Sequence, residues 1–222
     1  MTKRSYDLYC PVAEALDVVG DRWALLIVRD LLAGPLRFRD LQTRLEGIPP
    51  NILSTRLREL EEGGLIRKRE LPPPAARSVY ELTHDGRALE GVVRSLAQWG
   101  MRRLSPPTAE NAPTPGVALR AALLAYSHPR AIRARRRAWR VVIDDRSYVL
   151  RLDDGEITVE RDGTGEVDLE LRVSGSDLMR LRIGDLDLAT AKRRHAVTFT
   201  PTESERIEEF ERVFALDLPA GH

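Results

Sequence analysis

With a single cysteine, Cys10, in 222 residues, no intramolecular disulfide or multi-cysteine metal site can form, and a reducing, cytoplasmic setting follows as the expectation. No apolar run approaches the ~18 residues of a membrane span, and the opening MTKRSYDLYCP lacks the apolar stretch of a signal peptide. An excess of one charge is also missing: 35 basic residues face 34 acidic ones, for a formal net charge of +1. The total conceals a small asymmetry, with 17 basic and 14 acidic residues up to residue 105 against 18 and 20 beyond it, so position matters more than the sum. Catalytic spacings are absent as well. His84, His128, His195 and His222 are scattered without an H-E-x-x-H pattern. Asp162-Gly163-Thr164-Gly165 reads as a turn, since no phosphate-binding helix follows it. The pairs Asp144-Asp145 and Asp153-Asp154 lack the spacing of a calcium loop. The expectation is a protein that is not an enzyme and holds no metal or cofactor.

Hydrophobic residues at 42% and charged residues at 31% suit a globular chain with room for two cores. Residues 105–116 contain four prolines and no hydrophobic period, so they read as a linker between a domain over 1–104 and another over 117–222. Before the linker the apolar spacing is mostly helical. It predicts helices over Pro11 to Val19, Arg22 to Leu32 and Phe38 to Leu45, a turn at Glu46 to Pro49, and a further helix before Gly63-Gly64. The runs LIRKREL and SVYELT read as two strands around the loop Pro72 to Arg77, and Asp85 to Arg103 as a closing helix. This is the order of a mainly-α winged helix-turn-helix.

The helix that follows Pro49-Pro50 carries the functional signal. At about 100° per residue, Leu53, Leu57 and Leu60 share one narrow sector and face the core. The centre of the opposite side holds Asn51, Thr55, Arg58 and Glu62, with Ser54 at one edge and Arg56 nearer the core boundary, while Glu59, Glu61 and Glu62 are kept to the end of the helix. An ordinary solvated helix places acids first and bases last to offset its dipole; here the order is reversed. Hydrogen-bonding side chains at the start of the second helix are what a groove-reading helix needs. Asn51 reads either as helix cap or as DNA contact. Arg37 and Arg39 stand where the supporting helix meets the backbone, and Arg67, Lys68, Arg69 and Arg77 put four cations on the hairpin, each suited to a phosphate.

These residues resemble the HxlR family of winged-helix transcriptional regulators, relatives of the MarR group. The match runs through Cys10-Pro11-Val12-Ala13, Val18-Val19-Gly20-Asp21-Arg22-Trp23, Phe38-Arg39-Asp40-Leu41, Leu53 to Glu61, Tyr80-Glu81-Leu82-Thr83 with Gly86, and Trp99-Gly100. Pro49-Pro50 departs from the family's usual Ser-like cap. The resemblance implies a homodimer that binds a two-fold double-stranded DNA site, with the first and last helices packed together through Leu16, Val19, Leu89, Val93, Leu96 and Trp99. It also implies regulation of transcription, as a repressor. Cys10 stands where some members carry a cysteine that senses oxidants or electrophiles; its other reading is a small residue in the dimer interface.

After the linker, helices are predicted over Val117 to Tyr126 and Pro129 to Ala138. Alternating strands follow over Trp139 to Ile143, Ser147 to Leu152, Glu156 to Glu160 and Val167 to Val173, separated by hairpin-type turns. A helix capped by Ser176 and running to Ile183, another from Asp187 to Lys192, a strand from His195 to Phe199 and a closing helix from Thr202 to Phe214 with Glu205 in a capping box complete an α+β domain. The stretches Val167 to Leu181 and Gly184 to Ala191 are similar to the sterol-carrier-protein-like domain. That likeness implies an antiparallel sheet and a small apolar ligand between sheet and helices. The alternative is a lipid-binding or carrier protein whose first half only dimerises.

Overall fold

Residues 5–71, 77–126, 136–153, 156–202 and 204–214 are described by a computed structural model. The chain divides into two units, Met1–Val93 and Arg94–His222. The division falls inside a helix rather than in the proline-rich stretch.

In the first unit, Pro11 opens α1 (Pro11–Val19), its fixed φ and missing N–H suiting a first turn. Helices α2 (Ala24–Leu32), α3 (Phe38–Arg44) and α4 (Pro50–Glu62) follow. Their apolar faces meet in a core that includes Ile27, Val28, Leu31, Leu41, Leu53, Leu57 and Leu60, each at most 1% exposed. The predicted face of α4 is therefore a buried one. Strands β1 (Ile66–Glu70) and β2 (Ser78–Leu82) pair antiparallel, with Ile66 opposite Leu82 and Arg67 opposite Glu81. The loop between them lies outside the described residues apart from Leu71 and Arg77. Leu36, just before α3, pairs with Tyr80 through two backbone hydrogen bonds of 3.0 and 2.8 Å, which fixes the hairpin against the helices. Helix α5 (His84–Ala88) is capped by Thr83, whose Oγ1 accepts from the Gly86 N–H, and α6 (Glu90–Met101) continues after the single residue Leu89. The predicted closing helix is thus two helices.

In the second unit, α7 (Pro115–Tyr126) precedes strands β3 (Arg137–Ile143), β4 (Arg146–Asp153), β5 (Glu156–Arg161) and β6 (Leu169–Val173). Helices α8 (Gly175–Arg182) and α9 (Leu188–Arg193), strand β7 (Val197–Thr200) and α10 (Ser204–Phe214) complete it. Most of the Arg-rich helix predicted over Pro129 to Ala138 lies outside the described residues, and its end, Arg137 and Ala138, is strand. The cap of α8 is Ser174, whose hydroxyl accepts from Asp177 N–H, rather than Ser176.

The sheet order is β5-β4-β3-β6-β7, and β3 and β6 run parallel. This corrects the expected antiparallel sheet. The segment after β5 does not form a hairpin turn. It crosses the sheet, tied down by Arg140, whose Nη2 donates to Gly165 O at 3.1 Å, and by Arg151, whose Nη2 donates to Thr164 O at 3.2 Å. The chain therefore reaches the far side of β3 in the same direction. Trp139, Val141, Leu150, Leu171 and Phe199 point to one face, where Phe210 and Phe214 of α10 pack against Trp139 at ring distances of 5.4 and 5.5 Å. Edge-to-face pairs of this kind add to the burial term.

Candidate nucleic-acid interface

Helix α4 begins at Pro50, with Pro49 as its N-cap and no side-chain cap. Asn51 is therefore not the cap: it lies within the first turn, exposed, and no side-chain hydrogen bond engages it among the described residues. Double proline suits this start, because Pro49 is extended (φ −65°, ψ 141°) and Pro50 needs no N–H partner. The N–H groups of the first turn face outward at the positive end of the helix dipole, which suits phosphate. Ser54 is exposed and its hydroxyl donates to Pro50 O at 2.9 Å, which leaves its lone pairs to accept. Thr55 is half-buried and Arg58 is exposed, with a long contact of 3.8 Å to Glu62 that contributes little at such exposure.

Two of the three acids at the end of α4 accept hydrogen bonds, and the third has only the long Arg58 contact. Glu59 and Asp21 bind Arg56, Glu61 accepts the Lys68 N–H at 3.0 Å, and Glu62 takes Arg58. Arg56 therefore ties α4 to the turn before α2 through Nη1. Arg37 and Arg39 are exposed at the start of α3, where the Arg37 N–H donates to Asp40 Oδ2 at 3.1 Å. On the hairpin, Arg67, Lys68, Arg69 and Arg77 are all exposed.

A residue without a predicted role organises the hairpin. Glu81 is 8% exposed and accepts from both Arg67 (Nε to Oε1, 2.8 Å) and Arg69 (Nε to Oε2, 3.1 Å). Its carboxyl is held below the ordinary 4.5, first by the Arg67 hydrogen bond and then, against the opposing effect of burial, by Arg69 and the two positive charges. The stability this pairing contributes is fully present above 4.5, where the unfolded carboxyl is also ionised, and is lost as pH falls through the lower folded value. In denaturant titrations from about pH 7 to about pH 3, the stability gap between wild type and Glu81→Gln should narrow below the unfolded value. A gap that stays constant across the range would contradict the assignment. Glu81 belongs to the motif Tyr80-Glu81-Leu82-Thr83, but sequence offers no sign of its partners, because strand register depends on where the hairpin loop closes.

Of the residues expected at a dimer interface, Val19 and Val93 are buried within the chain, at 6% and 5% exposure. Leu89 is half-buried. Leu16, Leu96 and Trp99 are exposed, and the structure adds Leu8, Tyr9 and Val12 before and within α1 and Val92 on α6. Val92, Leu96 and Trp99 follow i, i+4, i+7 spacing and form one apolar stripe. Cys10 is exposed at the N-cap of α1.

In the second unit a cavity of about 20 Å³ is lined by apolar residues, among them Leu119, Val141, Leu178 and Phe210, and by Arg182. Arg182 is 2% exposed and donates to Phe214 O at 2.6 Å. That volume holds about one water-sized group. Among the described residues no cluster of His, Cys, Asp or Glu could hold a metal ion, and no helix is long and apolar enough to cross a membrane.

Comparison with known proteins bears on the first unit. The family model for the HxlR-like helix-turn-helix matches residues 18–108. The uncharacterized HTH-type transcriptional regulator YvaP of Bacillus subtilis is 35% identical over 98 residues, 44% of this chain and 91% of YvaP. The HTH-type transcriptional regulator YodB of the same organism is 33% identical over 98 residues, 44% of this chain and 88% of YodB. An uncharacterized HTH-type transcriptional regulator of Mycobacterium bovis, Mb3122, is 43% identical over 96 residues, 43% of this chain and 60% of that protein. The family match ends at residue 108, so it does not extend to the sheet of the second unit. With nearly the whole of YvaP and YodB matched, and with α3, α4 and the β1–β2 hairpin arranged as a winged helix, the chain belongs to the HxlR-like helix-turn-helix family.

Proposed function

We propose that the protein is a sequence-specific regulator of transcription that binds a two-fold double-stranded DNA site as a homodimer, with α4 in the major groove and the β1–β2 hairpin beside the phosphate backbone. The observation that carries this reading is the outward row of α4. Asn51, Ser54, Thr55 and Arg58 stand on the side opposite Leu53, Leu57 and Leu60, while the acids of the last turns are paired with cations or a backbone N–H. A helix so arranged offers hydrogen-bond donors and acceptors for base edges at its start and little uncompensated negative charge at its end. The exposed apolar residues Leu8, Tyr9, Val12 and Leu16, and the stripe Val92, Leu96 and Trp99, support dimerisation, since apolar clusters of this kind mark interaction surfaces. The rival reading is a lipid carrier whose first unit only dimerises; the outward row of α4 favours the regulator, because a unit that served only to dimerise has no use for it.

The test selects a preferred duplex from a random pool with the wild-type protein and then measures Kd. The Thr55→Ala, Arg58→Ala double variant should weaken binding to that duplex by about tenfold or more, the scale of one lost base contact. Arg172→Ala, an exposed arginine of the second unit, should change it little. Equal effects from the two would sink the proposal. The same titration should saturate at two chains per duplex; saturation at one would remove the dimer from it.

A further inference from the structure

The hairpin arginines differ from an ordinary basic patch because they share a single buried acid. Glu81 lies directly opposite Arg67 in the β1–β2 register, and Arg69, two residues along β1, projects from the same face. Each carboxylate oxygen receives one guanidinium edge. Oε1 takes Arg67 Nε at 2.8 Å and Nη2 at 2.7 Å, and Oε2 takes Arg69 Nε and Nη2, both at 3.1 Å. An arginine has five N–H donors in a rigid fork, so each guanidinium keeps Nη1 and part of Nη2 for another acceptor. The exposure is graded in the same sense: the Glu81 side chain is 11% exposed, Arg69 44% and Arg67 67%. The acid is thus shielded and the cations face outward. Lys68 projects from the opposite face, and it is its backbone N–H rather than its side chain that is tied to an acid, at Glu61.

We propose that Glu81 is a positioning and specificity-determining residue of the DNA interface: it holds Arg67 and Arg69 as one preset, two-pronged clasp for backbone phosphate, with a net charge of +1 instead of +2. The proposal rests on the reading of the chain as a DNA-binding protein. Two physical effects follow from the arrangement. A long arginine side chain normally loses rotamer freedom when it engages a phosphate, and here that ordering is already met in the free protein. The shared carboxylate also removes one positive charge from a surface that would otherwise attract any duplex regardless of sequence. Both effects favour the fitted site over arbitrary DNA.

Glu81→Gln removes the charge and cannot hold both guanidinium groups, since only one carbonyl oxygen remains to accept. Binding to a scrambled duplex should then tighten and depend more steeply on salt, the slope of log K against log salt growing by up to about 0.9. Binding to the selected duplex should gain less or weaken, so that the ratio of the two affinities narrows by roughly threefold to tenfold, the range of one ordinary hydrogen-bond contribution. The experiment uses the full chain as wild type, Glu81→Gln, Glu81→Asp, the Arg67→Ala, Arg69→Ala pair, and that pair combined with Glu81→Gln. Each is titrated with the selected and the scrambled duplex across about 50 to 200 mM salt, and its thermal midpoint is recorded. The proposal expects the change in slope and ratio on Glu81→Gln to vanish in the background without the two arginines, as a double-mutant cycle requires of groups that act together. Glu81→Asp, one methylene shorter, should fall between wild type and Glu81→Gln, and it carries the test if the Gln variant does not fold. An unchanged slope and ratio, or the same change with the arginines already removed, would overturn the proposal while leaving DNA binding intact. A wild-type protein that prefers no duplex would overturn the underlying reading, and the proposal with it.

Discussion

Replacing Gly86 by alanine is expected to lower the thermal midpoint of the first unit by more than about 10 °C. A Cβ at Gly86 would lie 2.0 Å from the Leu65 carbonyl oxygen and 2.9 Å from its carbon. The obstacle is backbone, and it cannot move aside cheaply. Leu65 O accepts from Thr83 N–H at 3.0 Å and from Thr83 Oγ1 at 3.2 Å, and the same hydroxyl also donates to Gly64 O at 2.6 Å. Relieving the overlap means parting α5 from the start of the hairpin, where Ile66 and Leu82 are 1% and 4% exposed. Overpacking costs about 1–3 kcal/mol and sometimes more, and an overlap of this size against fixed backbone belongs at the upper end. Each kcal/mol shifts the midpoint of a domain of this size by about 4–8 °C. Gly91→Ala supplies the contrast: nothing lies within 4 Å of a Cβ there, on α6, and alanine should stabilise by up to about 1 kcal/mol through helix propensity. Melting curves of the two variants should move in opposite directions; a wild-type midpoint for Gly86→Ala would mean that the α5–β1 junction is not packed as described.

The second large effect is expected in the other unit. Trp139 sits at the centre of the sheet with 1% exposure, its neighbours in register, Leu150 and Leu169, both fully buried. Phe210 meets its ring at 5.4 Å and 89°, and Phe214 at 5.5 Å and 73°. Truncation to alanine leaves a cavity that β3, pinned on both sides by its ladders, cannot close by shifting. The cost should be about 3–5 kcal/mol, enough to lower the midpoint of the second unit by more than about 10 °C. Near-ultraviolet circular dichroism followed through the melt provides the measurement, with Trp139→Phe as the milder variant. A Trp139→Ala midpoint within a few degrees of wild type would show that the ring is not the centre of this core.

The candidate interface illustrates where reading along the chain succeeds and where it stops. The outward row Asn51, Ser54, Thr55, Arg58 follows from helical spacing, because three leucines at 53, 57 and 60 leave the opposite side determined. That Arg56 pairs with Asp21 depends on a contact between residues 35 apart, and that Glu81 gathers two arginines depends on the hairpin register. Val19 and Val93 lie buried within the chain, which helical spacing alone does not distinguish from burial against a second copy.

By itself the sequence determined the order of the helices up to α4 and of the hairpin after it, and the apolar and polar faces of α4, since side-chain period and proline placement act within a few residues. The tertiary structure decided what pairs with what. Strand alternation in the second unit marks which side chains enter the core, yet it is the same for a parallel and an antiparallel neighbour. Only the crossing of the segment after β5 over the sheet, held by Arg140 and Arg151, sets β6 parallel to β3. The physical reason is that a two-residue period encodes a face but no partner, and the entropic cost of closing a loop varies too slowly with its length to select one.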